Sequence, residues 1–106
     1  MTKFMISVIG ASKATPREFR LAEQTGKAIA DADCVLVCGG LSGVMEGAAK
    51  GSTEAGGFSV GILPQNDKSQ ANPHLSIALP TGLGHMRNYL VASAADGVIA
   101  IGGAAG

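Results

Sequence analysis

Five short apolar runs, at residues 5–10, 34–38, 58–63, 75–79 and 97–101, constrain this chain more than any other feature. They are continuous rather than alternating, the pattern of strands buried on both faces. Helix-patterned segments lie between most of them. Thr15-Pro16-Arg17-Glu18 starts the first: Thr15 caps, Pro16 suits the first helical position, and Glu18 reaches back to complete a capping box. That helix is expected to reach Ala30. Ser42 is expected to cap a second helix ending near Gly56-Gly57, and residues 84–95 form a third. On the second helix, Val44, Gly47, Ala48, Gly51 and Ala55 make a small-residue stripe, expected to lie tight on a sheet. Buried strands alternating with helices give an α/β fold built on a parallel sheet of about five strands. The expected order is 3-2-1-4-5, with two helices on one face and the third on the other. An apolar surface is then left open where a helix after the fifth strand belongs. The chain therefore reads as one domain, residues 1–106, expected to be the front part of a longer one with its C-terminal part missing; the alternative is a partner subunit that covers the open surface.

Composition narrows the function classes. Hydrophobic residues make up 46% of the chain and charged residues 15%, so most of it expects burial. The net charge of zero argues against a nucleic-acid partner, which needs clustered Lys and Arg. No apolar run approaches the roughly 20 residues of a membrane span. Met1-Thr2-Lys3-Phe4 leads straight into the first strand without a cleavage site, so the cytoplasm is the expected location. Cys34 and Cys38 stand about 13 Å apart on a strand, too far for a disulfide or a shared metal, and are expected as buried thiols.

Each strand ends in an unusual turn: Gly10-Ala11-Ser12-Lys13, Gly39-Gly40-Leu41-Ser42-Gly43, Leu63-Pro64, Pro80-Thr81-Gly82 and Gly102-Gly103-Ala104-Ala105-Gly106. A parallel sheet gathers these turns on one edge, where open α/β proteins bind ligands at the point where strand order reverses. In the expected order that point lies between Ser12 and Thr81. Glycines permit positive φ and let bare N–H groups approach an anion, and a helix N-terminus favours phosphate. One such turn is explained by tight chain reversal alone; three on one edge point to a phosphate-bearing ligand. Gly10, Ser12, Gly39, Gly40, Ser42, Gly43, Thr81, Gly82, Gly102, Gly103 and Gly106 are the candidate ligand contacts. The dinucleotide fingerprint is not met, because Gly10-Ala11-Ser12 lacks its second glycine and no acid ends the second strand. No G-K-[ST] of a P-loop occurs.

Arg87 is the sharpest single residue. Leu83, Arg87, Leu90, Val91 and Ala94 form the helical stripe that faces the sheet, which puts a guanidinium in the crevice at the strand ends. Its planar fork suits phosphate or carboxylate; the alternative is an Arg that bends to solvent or pairs with an acid. Asn88 bonds a ligand or caps backbone. Glu46 and Lys50 are expected to pair along their helix. Lys13, His74 and His85 are weaker candidates, and no metal site is expected. The loop of residues 65–74 exceeds the usual connection and is expected to be mobile or a lid.

Gly39-Gly40-Leu41-Ser42-Gly43-Val44-Met45-Glu46, followed by Gly56-Gly57-Phe58-Ser59-Val60-Gly61-Ile62-Leu63-Pro64, resembles the LOG-like Rossmann family, often labelled lysine decarboxylase-like. Asn72-Pro73, Pro80-Thr81-Gly82-Leu83-Gly84 and Met86-Arg87-Asn88 resemble more closely its branch of molybdenum-cofactor carrier proteins. The likeness covers essentially the whole chain. It implies a Rossmann-like fold, a homodimer or higher homo-oligomer, and a ligand at the strand ends, with no further cofactor required. In carrier-type members that ligand is a phosphorylated molybdenum-pterin cofactor. In LOG enzymes it is a nucleoside 5′-monophosphate, hydrolysed at its N-glycosidic bond. There the motif Pro-Gly-Gly-x-Gly-Thr-x-x-Glu supplies a phosphate nest and a catalytic Glu, assisted by an Arg that Arg87 matches. Gly102-Gly103-Ala104-Ala105-Gly106 matches only the start of that motif, Ile101 replaces its Pro, and its Glu is absent from these residues. Binding of a small phosphorylated ligand, nucleotide or molybdenum cofactor, is thus the expected function. A phosphoribohydrolase in which Arg87 is catalytic is the alternative, and a non-catalytic oligomerisation module is a third reading.

Overall fold

The computed structural model describes residues 3–102. Its elements are β1 (Met5–Gly10), α1 (Pro16–Asp31), β2 (Val35–Cys38), α2 (Val44–Glu54), β3 (Ser59–Leu63), β4 (Ile77–Pro80), a 3-10 turn (Gly84–Met86), α3 (Arg87–Ala94) and β5 (Gly97–Ile101). The strands form one parallel sheet in the order β4-β3-β2-β1-β5. This is the α/β, Rossmann-like architecture expected from the sequence.

Successive side chains of a strand point to opposite faces, and β2 shows where the layers lie. Leu36 joins Val8, Ala22, Ile29, Val44, Ala48 and Ile101 in a core under α1 and α2. Its neighbour Val37 packs with Ile62 and Val91 under α3. The first two helices therefore cover one face and the third covers the other. Thr15 and Glu18 close the capping box of α1 as their spacing requires.

The placement of β4 differs in detail from the expected order. The run 3-2-1 is as read, with β5 on the β1 side, but β4 lies outside β3 rather than between β1 and β5. The physical reason is the connection. No helix between β3 and β4 carries the chain across the sheet, so it turns back alongside β3. There Ser59 and Ser76 exchange bonds, each backbone N–H donating to the other's Oγ at 2.9 and 3.1 Å. The crossing is made afterwards, by the 3-10 turn and α3, and delivers β5 to the opposite edge. The order therefore reverses between β1 and β5, and Thr81 is not opposite Ser12.

The small-residue stripe of α2 packs against a helix more closely than against the sheet. A Cβ at Gly51 would overlap the carbonyl oxygen of Glu23, one at Gly47 would lie 2.9 Å from that of Phe19, and one at Gly26 would overlap that of Ala48. α1 and α2 thus touch backbone to backbone. This contact also redirects Lys50, whose Nζ sits 3.4 Å from Glu23 on α1, while Glu46 faces His74 at 3.8 Å. The expected Glu46–Lys50 pair does not form.

β5 is poorly covered. Val98 and Ile99, on its two faces, are 46% and 38% exposed. An apolar groove of about 640 Å³ runs beside it, lined by Ile6, Ala28, Ile29, Val98 and Ile99 among others. The lining from α1 puts this groove on the α1 face, whereas the opening expected from the sequence is on the face of α3.

Candidate functional site

α3 is held onto the sheet by Ser7, whose hydroxyl donates to the Val91 carbonyl at 2.5 Å, and by Val91 itself, which is buried. That anchorage places Arg87, the first residue of α3, over the end of β2. The guanidinium stands against Gly39. A Cβ at position 39 would lie 2.7 Å from Arg87 Nη1 and 2.7 Å from Met45 Sδ. Gly39 is therefore the residue that admits the guanidinium to the rim. Gly10, Gly39, Arg87 and Asn88, all candidates from the sequence, meet in one cleft with Val8, Ile9 and Met45.

Arg87 is only 9% exposed. Its Nη1 donates to Asn88 Oδ1, and its Nε is buried with no hydrogen-bond partner. The ion pairs among the described residues are Lys3–Asp33, Lys27–Asp31, Lys50–Glu23 and His74–Glu46, and none includes it. Burial lowers its pKa from the usual arginine value, and proximity to Cys38 partly offsets this. Cys38 supplies no counter-charge at neutral pH. Burial pushes its thiol up to about 11, against smaller opposite effects of a Gly40 backbone hydrogen bond and of Arg87. A buried cation without a carboxylate costs stability. Such a group is an incomplete interaction whose natural complement is an anion.

The remaining candidates fall into three groups. The turns after β1 and β2 are stitched together: Ser42 Oγ donates to the Ser12 carbonyl at 2.9 Å, and Val44 N–H to the Ala11 carbonyl at 3.0 Å. Ser42 is therefore not the cap of α2. The cap position is Gly43, at φ 71°, with no side-chain bond, and its Cα lies so close to Ala11 and Ser12 that a Cβ has no room. The cost is one N–H of the α2 terminus, spent on Ala11. Gly40, at φ 78°, gives its carbonyl to Asn72 N–H at 2.9 Å. Thr81 and Gly82 form the second group, at the β4 edge and not among the residues lining the Arg87 cleft. Thr81 Oγ1 donates to the Leu63 carbonyl at 2.6 Å, and Gly82 N–H to that of Gln65 at 2.9 Å. Gly102, at φ 69°, follows β5 and faces the Glu18 carboxylate. Gly103 and Gly106 lie outside the described residues.

Sequence reasoning missed three contributors. Met45 and Ile9 line the cleft but carry only apolar side chains, which read as core. Asn72 belongs to an Asn-Pro pair in a polar loop. It is buried at 7% exposure and bonds the β2 turn twice, through its N–H to Gly40 and through Nδ2 to the Leu41 carbonyl at 3.0 Å. It pins the C-terminal end of the 65–74 loop to the rim. The dipeptide Asn-Pro inside a long polar loop is the signal that marks such an anchor.

The sheet and its layering define a Rossmann-like α/β fold. The SLOG cluster4 family model matches residues 3–106, and the chain belongs to that family. It is 40% identical over 106 residues to an uncharacterized protein of Archaeoglobus fulgidus, covering all of this chain and 70% of that protein. Among solved structures it is similar to the molybdenum cofactor binding protein of Rippkaea orientalis, at 40% identity and TM-score 0.95, over 98% of this chain and 65% of that one. It is also similar to the molybdenum cofactor carrier protein of Chlamydomonas reinhardtii, at 35% identity and TM-score 0.87, over 97% and 65% of the two chains. The chain thus spans just under two thirds of the length of these solved relatives. Among the described residues no helix is long and apolar enough to cross a membrane.

Proposed function

We propose that this chain binds a small phosphorylated ligand at the carboxyl rim of its sheet. The molybdenum-pterin cofactor is the leading ligand and a nucleotide the second. One observation carries the reading: Arg87 is buried beside Gly39 without an acidic partner. The two solved relatives, described as binding or carrying the molybdenum cofactor, support the choice of ligand.

The donor set fits a phosphate and not a whole cofactor. The cleft is small, about 40 Å³. It admits an anionic oxygen beside Arg87, while a ring system lies outside it along the rim. In this reading Arg87 supplies the charge and Asn88 orients the guanidinium. Met45, Ile9 and Val8 keep water from one side of the pair, which strengthens it. Calorimetric titration with the molybdenum cofactor and with nucleoside 5′-monophosphates tests the proposal. One-site saturable binding that disappears in Arg87→Met is the expected result; no saturable binding of either ligand class by the folded protein contradicts it.

A further inference from the structure

In sheets of this kind the usual seat of a ligand phosphate is the N-terminus of the helix after the first strand. Here that seat is filled by the chain itself. Of the N–H groups in the first turn of α1, Pro16 has none. The Glu18 N–H is bonded to Thr15 Oγ1 at 3.1 Å, and the Phe19 N–H to the Thr15 carbonyl at 2.9 Å. Only that of Arg17 remains. Glu18 adds a negative charge: one carboxylate oxygen accepts the Thr15 N–H at 3.0 Å, and the other faces Gly102. The site and the Arg87 cleft share the carboxyl rim of the sheet. Gly10 lines that cleft and pairs in register with Ile101, the residue before Gly102. Neighbouring strands stand about 4.8 Å apart.

We propose that Glu18 is a specificity-determining residue of the rim, repelling a second phosphate and restricting the ligand to a single phosphate group. This rests on the phosphate site proposed at Arg87. A monophosphate places its charge at Arg87 and presents neutral or hydrogen-donating atoms toward Glu18. A diphosphate or dinucleotide must set charge beside the carboxylate at a helix end that has almost no donors left.

The test titrates 5′-AMP and ADP into the wild-type protein, Glu18→Gln and Arg87→Met. Gln preserves the capping box, and its thermal melt verifies the fold. The wild-type protein is expected to bind AMP at least as tightly as ADP, although ADP carries more charge. Glu18→Gln is expected to raise ADP affinity about five-fold, the scale of one partly exposed charge near a helix terminus, with AMP affinity changed less than about two-fold. Tighter binding of ADP than of AMP by the wild-type protein overturns the proposal, even if the variant does not fold. An unchanged ADP-to-AMP ratio in a folded Glu18→Gln also overturns it. Absence of any nucleotide binding by the wild-type protein overturns the Glu18 assignment as well. Equal binding by wild-type and Arg87→Met contradicts the Arg87 site instead.

Discussion

Arg87 and Gly39 are complementary: the guanidinium occupies the space that any side chain at position 39 would claim, with 2.7 Å between Nη1 and a Cβ placed there. Gly39→Ala therefore pushes the guanidinium or Met45 aside. Because Arg87 and Met45 are side chains with some freedom, the fold survives at a cost of about 1–2 kcal/mol. Affinity for the phosphorylated ligand falls about ten-fold, the loss expected when one charge-assisted bond is misdirected. Titration of the variant beside its thermal melt checks both halves.

Arg87→Met separates a binding role from a structural one by sign. If the guanidinium stabilised the fold, its loss would destabilise the protein. As a buried cation without a carboxylate, its replacement by an apolar side chain of similar length leaves stability unchanged or raises it by about 1 kcal/mol. Ligand binding is lost at the same time. Urea unfolding at neutral pH reads the stability.

Gly51→Ala tests the backbone contact between α1 and α2. The added methyl meets the Glu23 carbonyl oxygen, which belongs to a rigid helix and has no rotamer to change. A loss of about 3 kcal/mol is expected. An exposed helix position would instead gain stability from the same change. The urea midpoint distinguishes the two.

Cys38 makes the fold sensitive to alkali. Burial raises its folded pKa from the ordinary thiol value of 9.0 to about 11. Between these values the unfolded chain has released the proton and the folded one has not, so stability falls as pH rises. The contribution is fully present below pH 9 and is lost by pH 11; it amounts to about 3 kcal/mol. Cys38→Ala should flatten that part of the stability profile. Below pH 9, a thiol reagent should modify half-buried Cys34 well before Cys38.

The sequence carried the architecture because its strongest signals are local. Continuous apolar runs marked all five strands to within two residues at their ends, and the Thr15–Glu18 box marked the start of α1. It did not carry the position of β4, which depends on a connection without a helix and on long-range bonds such as Ser59 to Ser76. Ser42 and Lys50 were misread for one reason. Each had a plausible partner nearby in sequence, and each found a better one about thirty residues away, Ser12 and Glu23. Arg87 was legible because a charge in an apolar stripe conflicts with burial. The cleft around it was not, since Met45 and Ile9 look like any core residue until the sheet brings them to the rim.

The most direct measurement is NMR of the arginine Nε–H groups during addition of 5′-AMP or the molybdenum cofactor. The chain has three arginines, Arg17, Arg20 and Arg87, and only Arg87 has its Nε buried without a partner in the free protein. Its signal alone is expected to shift and become protected from exchange as ligand is added. Saturation of the protein with the Arg87 signal unmoved, or with Arg17 and Arg20 responding in its place, would contradict it.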